Sequence, residues 1–144
     1  MPEQKEKEIS VVMVEPKQYA YIGTLKNELE AMQQYAGGYI EAFYPFDDPV
    51  VCVCNEEGKF LPECRPNRGL RDEDGKVIDV VSGKFFIAGM DDDGNLTSLP
   101  PELAEKYRDY FYKPQYFMHI FDEIAAVNYD LKPDNLSSRH NASL

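Results

Sequence analysis

The chain has 144 residues, of which 43% are hydrophobic, and this length is enough for one domain with its own core. Acidic side chains outnumber basic ones by 26 to 15, so the formal net charge is −11. That charge argues against a general nucleic-acid-binding protein, whose cations must meet phosphates. It leaves three alternatives open: simple solubility, docking to a basic protein surface, or mimicry of nucleic-acid charge.

The first elements predicted after a flexible tail over residues 1–8 are two strands and a helix. β-branched residues predict a strand over Ile9–Val14, and Tyr19–Ile22 is expected to pair with it. A helix is then predicted from Gly23 to the glycine pair at 37–38, one of which should take the left-handed position beyond the helix end. Apolar residues at helical spacing support it: Leu25, Leu29, Met32 and Ala36.

The central stretch predicts a β-meander. Tyr39–Tyr44 is rich in aromatic residues that suit a half-buried strand. Val50–Cys54 is apolar on both faces, which is typical of a strand that is covered on both sides. In the next turn Gly58 is expected to be left-handed, and Lys59–Leu61 should form a short returning strand.

The following segment, 63–71, is predicted to be a surface loop with three arginines within seven residues. Arginine forks suit carboxylates and phosphates, so these side chains either pair with nearby acids or contact a ligand or partner. We favour the contact for Arg68, because Pro66 and Gly69 predict a shaped, exposed turn. Tyrosines supply amphipathic contact surface or edge the core. The candidate binding residues are therefore Arg65, Asn67, Arg68, Arg71 and Tyr44.

The C-terminal half predicts more strands, a second helix and a hairpin. Strands are expected over Lys76–Val81 and Lys84–Ala88, and a helix is expected to start at 98–102. A last hairpin is expected from Tyr116–Phe121 and Ile124–Tyr129, before a flexible tail over 131–144. Residues 9–130 are thus predicted to form a single α+β domain with a mainly antiparallel sheet and two packed α-helices.

Catalytic, metal and cofactor motifs are not recognisable in the sequence. Cys52, Cys54 and Cys64 lack the spacing of a zinc site, and Asp91–Asn95 lacks the alternation of an EF-hand. No phosphate-binding loop or hydrolase motif is present. The sequence therefore predicts a non-enzymatic protein without a metal or cofactor.

Five ordered motifs resemble a family. They are GGYIEA at 37–42, YPFDDP at 44–49, NEEGK at 55–59, NRGLRDEDG at 67–75 and FFIAG at 85–89. Over about residues 9–129 the chain resembles a small domain family of unknown function from bacteriophages and conjugative elements. It departs from that pattern at 63–66, where Cys64 and Arg65 replace an apolar segment. The resemblance implies a setting and supplies no catalytic residues.

That setting gives three hypotheses for function. The first is a counter-defence protein that binds and inhibits a host immune protein, for example a CRISPR-Cas nuclease. The second is a sponge that sequesters a nucleotide immune signal with arginines and a tyrosine, for which a homo-oligomer would be favourable. The third is a structural accessory protein of the mobile element. Direct nucleic-acid binding is not expected.

The expected location is the cytoplasm of a bacterial host cell. Three cysteines, an odd number, suit a reducing compartment, and the charged N-terminus lacks an apolar signal core. No apolar run reaches the roughly 20 residues that span a bilayer, so no membrane contact is predicted.

Overall fold

The computed structural model describes residues 6–61 and 64–132, and within them it has ten strands and two α-helices. The strands are β1 (Glu8–Val14), β2 (Tyr21–Lys26), β3 (Ile40–Phe43), β4 (Val50–Asn55), β5 (Pro66–Arg71), β6 (Val77–Ser82), β7 (Phe85–Met90), β8 (Leu96–Thr97), β9 (Gln115–Ile120) and β10 (Glu123–Asn128). The helices are α1 (Leu29–Ala36) and α2 (Pro101–Tyr110). The expected α+β class with mainly antiparallel strands is confirmed. Most of the two expected tails, 1–8 and 131–144, lies outside the described residues, because the structure does not describe 1–5 and 133–144.

The main sheet has the strand order β2-β1-β7-β4-β3, with β8 beside the end of β7, and all its neighbours are antiparallel. Two further two-stranded sheets are formed by β5–β6 and by β9–β10. Every residue of β4 is buried, which confirms the prediction of a strand covered on both sides.

The sheet separates two layers of core side chains, because successive residues of a strand point to opposite faces. One layer packs against α1 and contains Ile9, Val11, Met13, Met32, Val51, Val53, Phe86 and Ala88. The other lies under α2 and the β5–β6 pair and contains, among others, Val12, Val14, Cys52, Phe85, Ile87, Leu70, Val81, Tyr107 and Phe111. The protein therefore has three layers of secondary structure, with the main sheet in the middle and one layer of core side chains on each side of it.

The first helix is shorter than predicted. It begins at Leu29, because β2 continues as far as Lys26 and pairs with β1 in the register Ile9 to Leu25. Leu29 is 62% exposed, so it does not contribute to the buried stripe that its spacing predicts. The predicted helix end is confirmed, since Gly37 has a φ of 86° and its N–H donates a hydrogen bond to the carbonyl oxygen of Gln33.

The β-meander prediction is wrong beyond β4. Residues Gly58–Phe60 form a 3-10 helix instead of a returning strand, and β4 pairs with β3 and β7. Gly58 does not have the expected positive φ. A Cβ there would lie 2.9 Å from the carbonyl oxygen of Ser82, so glycine allows a close approach at this position.

The predicted loop at 63–71 is mostly a strand. Residues 62 and 63 lie outside the described part of the chain, and from Pro66 onward the backbone pairs with β6. The β9–β10 hairpin forms where it was predicted and packs on the β5–β6 pair. The backbone N–H of Gly69 donates to Oε1 of Gln115 at 2.8 Å, and a Cβ on Gly69 would lie 3.3 Å from Cβ of Ala126.

Candidate binding surface

Arg68 is inside the protein and is only 2% exposed. Its Nε donates to the carbonyl oxygen of Phe111 at 2.9 Å, and its Nη2 donates to that of Gln18 at 2.6 Å. Burial lowers the pKa of Arg68 to about 10, so the guanidinium is still charged at neutral pH. The expectation that Arg68 is presented on an exposed turn is wrong, because its donors face backbone carbonyls of neighbouring segments.

Asn67 is also buried, with 1% exposure. Its Nδ2 donates to the carbonyl oxygens of Val14 at 3.0 Å and Gly83 at 2.8 Å. Its Oδ1 accepts a hydrogen bond from Nη1 of Arg68 at 2.7 Å. These contacts join β5 to the end of β1 and to the β6–β7 turn, so they indicate a structural role.

The other candidate residues have different surroundings. The guanidinium of Arg71 lies 4.2 Å from the ring centroid of Tyr110, and its Nη2 donates to the carbonyl oxygen of Tyr110 at 3.2 Å. Arg65 is exposed before β5, and Tyr44 is 60% exposed after β3. The structure therefore does not gather the five predicted residues around one pocket.

A different concave surface runs along β6, and we call it the β6 trough. Its larger part, about 500 Å³, lies between β6 and the β9–β10 hairpin. Its smaller part, about 270 Å³, lies between β6, the ends of β3 and β4, and the 3-10 helix. Both parts are lined by Lys59, Asp79, Val80 and Ser82. The apolar lining includes Phe43, Phe60, Ile78, Phe117 and Ile124.

The rim of the β6 trough is predominantly acidic. Five carboxylate side chains line it, namely Glu41, Glu56, Asp79, Asp122 and Glu123. The two lysines that line it are each paired with a carboxylate: Lys59 with Asp79 at 2.6 Å and Lys76 with Glu123 at 3.3 Å. The trough therefore combines an apolar lining with an excess of negative charge, which suits a segment that is both apolar and basic.

Cys54 lines one end of the trough with a protonated thiol. Burial and the neighbouring carboxylate of Glu41, whose Oε1 lies 3.8 Å from the Sγ, together raise the pKa of Cys54 to about 12. The thiolate is the nucleophilic form of cysteine, so a thiol held protonated beside a carboxylate is unreactive.

The β9–β10 hairpin has two faces with different surroundings. Phe117, His119 and Ile124 line the β6 trough, so their face points inward. The opposite face, which we call the hairpin face, consists of Tyr116, Met118, Ile120, Ala125 and Val127, whereas Glu123 at the strand end is paired with Lys76 on the trough rim. Four side chains of the hairpin face are large, apolar and well exposed, from 43% for Val127 to 62% for Tyr116. The hairpin face is therefore an apolar surface.

Sequence reasoning missed both surfaces for different reasons. The trough is built from segments around residues 41–43, 54–60, 76–82 and 117–124, and no local pattern brings these together. The hairpin face did have a signal, because all residues of Tyr116–Phe121 except His119 are apolar or aromatic, so apolar side chains occur at both alternating sets of positions. A two-stranded hairpin that is covered on one side leaves one of those sets exposed.

In the part of the chain that the structure describes, no group of three or more His, Cys, Asp or Glu side chains is placed to hold a metal ion. None of the helices in residues 6–61 and 64–132 combines the length and apolar character that crossing a membrane requires.

A family model described as "Domain of unknown function (DUF3846)" matches residues 9–112. The match covers most of the chain, so the protein belongs to this family. It ends before the β9–β10 hairpin, whereas the sequence resemblance was expected to extend to about residue 129. No curated protein and no solved structure matches the chain.

Proposed function

We propose, starting from membership in a family without an assigned activity, that this is a non-enzymatic binding protein of a bacteriophage or mobile element. It acts in the bacterial cytoplasm and inhibits a host defence protein by docking on it. The observation that carries this proposal is the acidic rim and apolar lining of the β6 trough. The setting comes from the sequence resemblance.

The partner's chemistry follows from the trough. Ile78 is 65% exposed on β6 and can pack against an apolar side chain of a bound segment. The five carboxylates of the trough outnumber its two paired lysines, and this excess attracts lysine or arginine of the same segment. The net charge of −11 would also speed association with a basic protein. Nucleases bind nucleic acid in basic clefts, which offer the positive charge that the trough attracts. A CRISPR-Cas nuclease is therefore one concrete target.

Phage plating on bacteria that carry individual defence systems tests this proposal. Expression of the protein should restore plating in cells with the targeted system, and the immobilised protein should retain a purified component of that system. Ile78→Lys removes apolar contact and adds a positive charge to the trough, so it should abolish protection and weaken binding at least about tenfold. The matched control is Ile22→Lys, which changes an exposed isoleucine of β2 outside the trough lining and should keep both activities.

The proposal fails if no defence system in the panel is inhibited and no component is retained. It also fails if Ile78→Lys protects as well as the parent protein, because the partner would then dock elsewhere.

The nucleotide sponge and the structural accessory protein are not proposed here. The sponge depends on arginines that face a common ligand, and Arg68 is bonded to backbone carbonyls while Arg71 lies against Tyr110. No observation specifically favours an accessory role.

A further inference from the structure

The hairpin face defined above is an apolar surface that the rest of the described chain leaves open. Tyr116 pairs across the hairpin with Val127, and Met118 pairs with Ala125, so their side chains form a continuous strip. Contiguous exposed apolar strips mark contact surfaces in many proteins, because water-facing apolar area costs free energy. A two-stranded hairpin is also marginally stable without cover on its apolar faces.

The charge on the hairpin face distinguishes between occupants. None of the five members of the hairpin face is charged, and Glu123 at the end of the strip is paired with Lys76 on the trough rim. A basic partner would gain little from this face, because the carboxylates that could attract it line the β6 trough instead. A second copy of a chain with a net charge of −11 can approach only where few like charges meet, and the hairpin face meets that condition.

From these observations we infer that the hairpin face is the contact between two copies of this chain, related by a two-fold axis. The same residues then contact one another from both sides, as a symmetric dimer requires. The axis lies in the plane of the interface and is perpendicular to the strands, so the tip of one hairpin lies over the base of the other. This inference does not depend on the β6 trough, and it requires no partner other than the protein itself.

The orientation follows from the charges at the two ends of the hairpin. At the tip Asp122 and Glu123 are acidic and Glu123 is paired with Lys76 at 3.3 Å, so the tip is negative by one charge. Among the described residues at the base, Lys113 and Lys132 are basic and Asp130 lies 3.3 Å from Nζ of Lys113, so these residues are positive by one charge. Antiparallel stacking brings each acidic tip to a basic base, whereas parallel stacking brings the two acidic tips together. Exposed ion pairs are individually weak, so they determine the orientation of the two hairpins, whereas burial of the apolar strip supplies the affinity.

Sedimentation velocity over about a hundredfold range of protein concentration tests the dimer. The parent protein should shift from the 16.5 kDa mass of one chain to twice that mass as its concentration rises. Met118→Lys places two like charges near the axis and should weaken association at least about tenfold. Leu29→Lys is the matched control, because it makes the same kind of change at a 62% exposed side chain of α1, outside both the hairpin face and the β6 trough, and it should dimerise like the parent.

The orientation has its own test. Asp122→Lys should weaken the antiparallel dimer, because the new lysine lies beside Lys113 of the other copy, and Lys113→Glu in the same chain should restore it. Both effects should shrink at high salt, which screens exposed charges. In a parallel dimer the two tips face each other and Asp122→Lys would not weaken association, and that result would overturn the proposed orientation.

A parent protein that remains a monomer at every concentration would overturn the inference, and so would a Met118→Lys variant that dimerises like the parent. Circular dichroism confirms that each variant is folded. If Met118→Lys does not fold, Tyr116→Lys makes the same test at a 62% exposed position of the same face.

Discussion

Nε of Arg68 donates a hydrogen bond of 2.9 Å to the carbonyl oxygen of Phe111, which joins β5 to the residue that ends α2. The same guanidinium donates to the carbonyl oxygens of Gln18 at 2.6 Å and Glu15 at 3.4 Å. One buried side chain thus links β5, the β1–β2 connection and the end of α2. Arginine is suited to this position because its planar fork presents five donors in fixed directions.

Arg68→Ala should lower the free energy of unfolding by several kcal/mol, about 3–5. The substitution removes the donors and leaves buried carbonyl oxygens without partners, and it also leaves a cavity. Arg68→Lys should be destabilising as well, because one ammonium cannot reach acceptors on three separate segments. Urea denaturation followed by circular dichroism measures both changes.

Arg65→Ala is the matched control for these variants, since Arg65 is exposed and lies three residues before Arg68. It should change the free energy of unfolding by at most about 0.5 kcal/mol. Equal stability of Arg68→Ala and Arg65→Ala would show that the contacts of Arg68 do not hold the fold together.

The contrast between Arg68 and the β9–β10 hairpin shows what the sequence could predict. The hairpin is encoded locally, as two apolar runs on either side of Asp122, and it forms where it was predicted. The burial of Arg68 depends on acceptors that lie 43 to 53 residues away along the chain. No local pattern around an arginine reports such partners, so the segment was mistaken for an exposed loop.

The predicted start of α1 is wrong for a related reason. Leu25 fits the helical spacing of the residues that follow it, but it lies in β2, paired with Ile9. Pairing with β1 therefore prevails over the local helical pattern, since tertiary contacts commonly outweigh intrinsic propensity. The β6 trough depends even more on long-range packing, and it had no counterpart among the predicted site residues.

Asp48 should make stability depend on pH in the acid range. Its Oδ2 accepts hydrogen bonds from Nζ of Lys106 at 2.7 Å and from the hydroxyl of Tyr107 at 2.6 Å. Both bonds lower the pKa of Asp48 in the folded protein. In the unfolded chain the pKa of an Asp is about 3.9, so the unfolded chain binds more protons than the folded protein in the acid range. Asp48 therefore contributes to the free energy of unfolding above that pH. This contribution is lost as the pH falls through the lower pKa of Asp48 in the folded protein.

Asp48→Asn should therefore give a flatter decrease in melting temperature below about pH 4 than the parent protein shows. Asp47→Asn is the control, because it removes the same charge from an exposed neighbouring side chain. Thermal melts at a series of acid pH values measure the two slopes. Parallel curves for Asp48→Asn and the parent would contradict the expected linkage.

Phe121, at the tip of the β9–β10 hairpin, combines a φ of 56° with 98% exposure. A bulky residue is disfavoured in this left-handed region, and its ring gains almost no burial in return. Asparagine tolerates the region and is common in tight hairpin turns, so Phe121→Asn should raise the free energy of unfolding by about 0.5–1 kcal/mol.

The matched control is Phe60→Asn, which replaces another highly exposed phenylalanine whose φ is not positive, and it should bring no gain. Chemical denaturation at one low protein concentration compares the three proteins. A loss of stability in Phe121→Asn would mean that contacts of the ring outweigh the strain of its backbone.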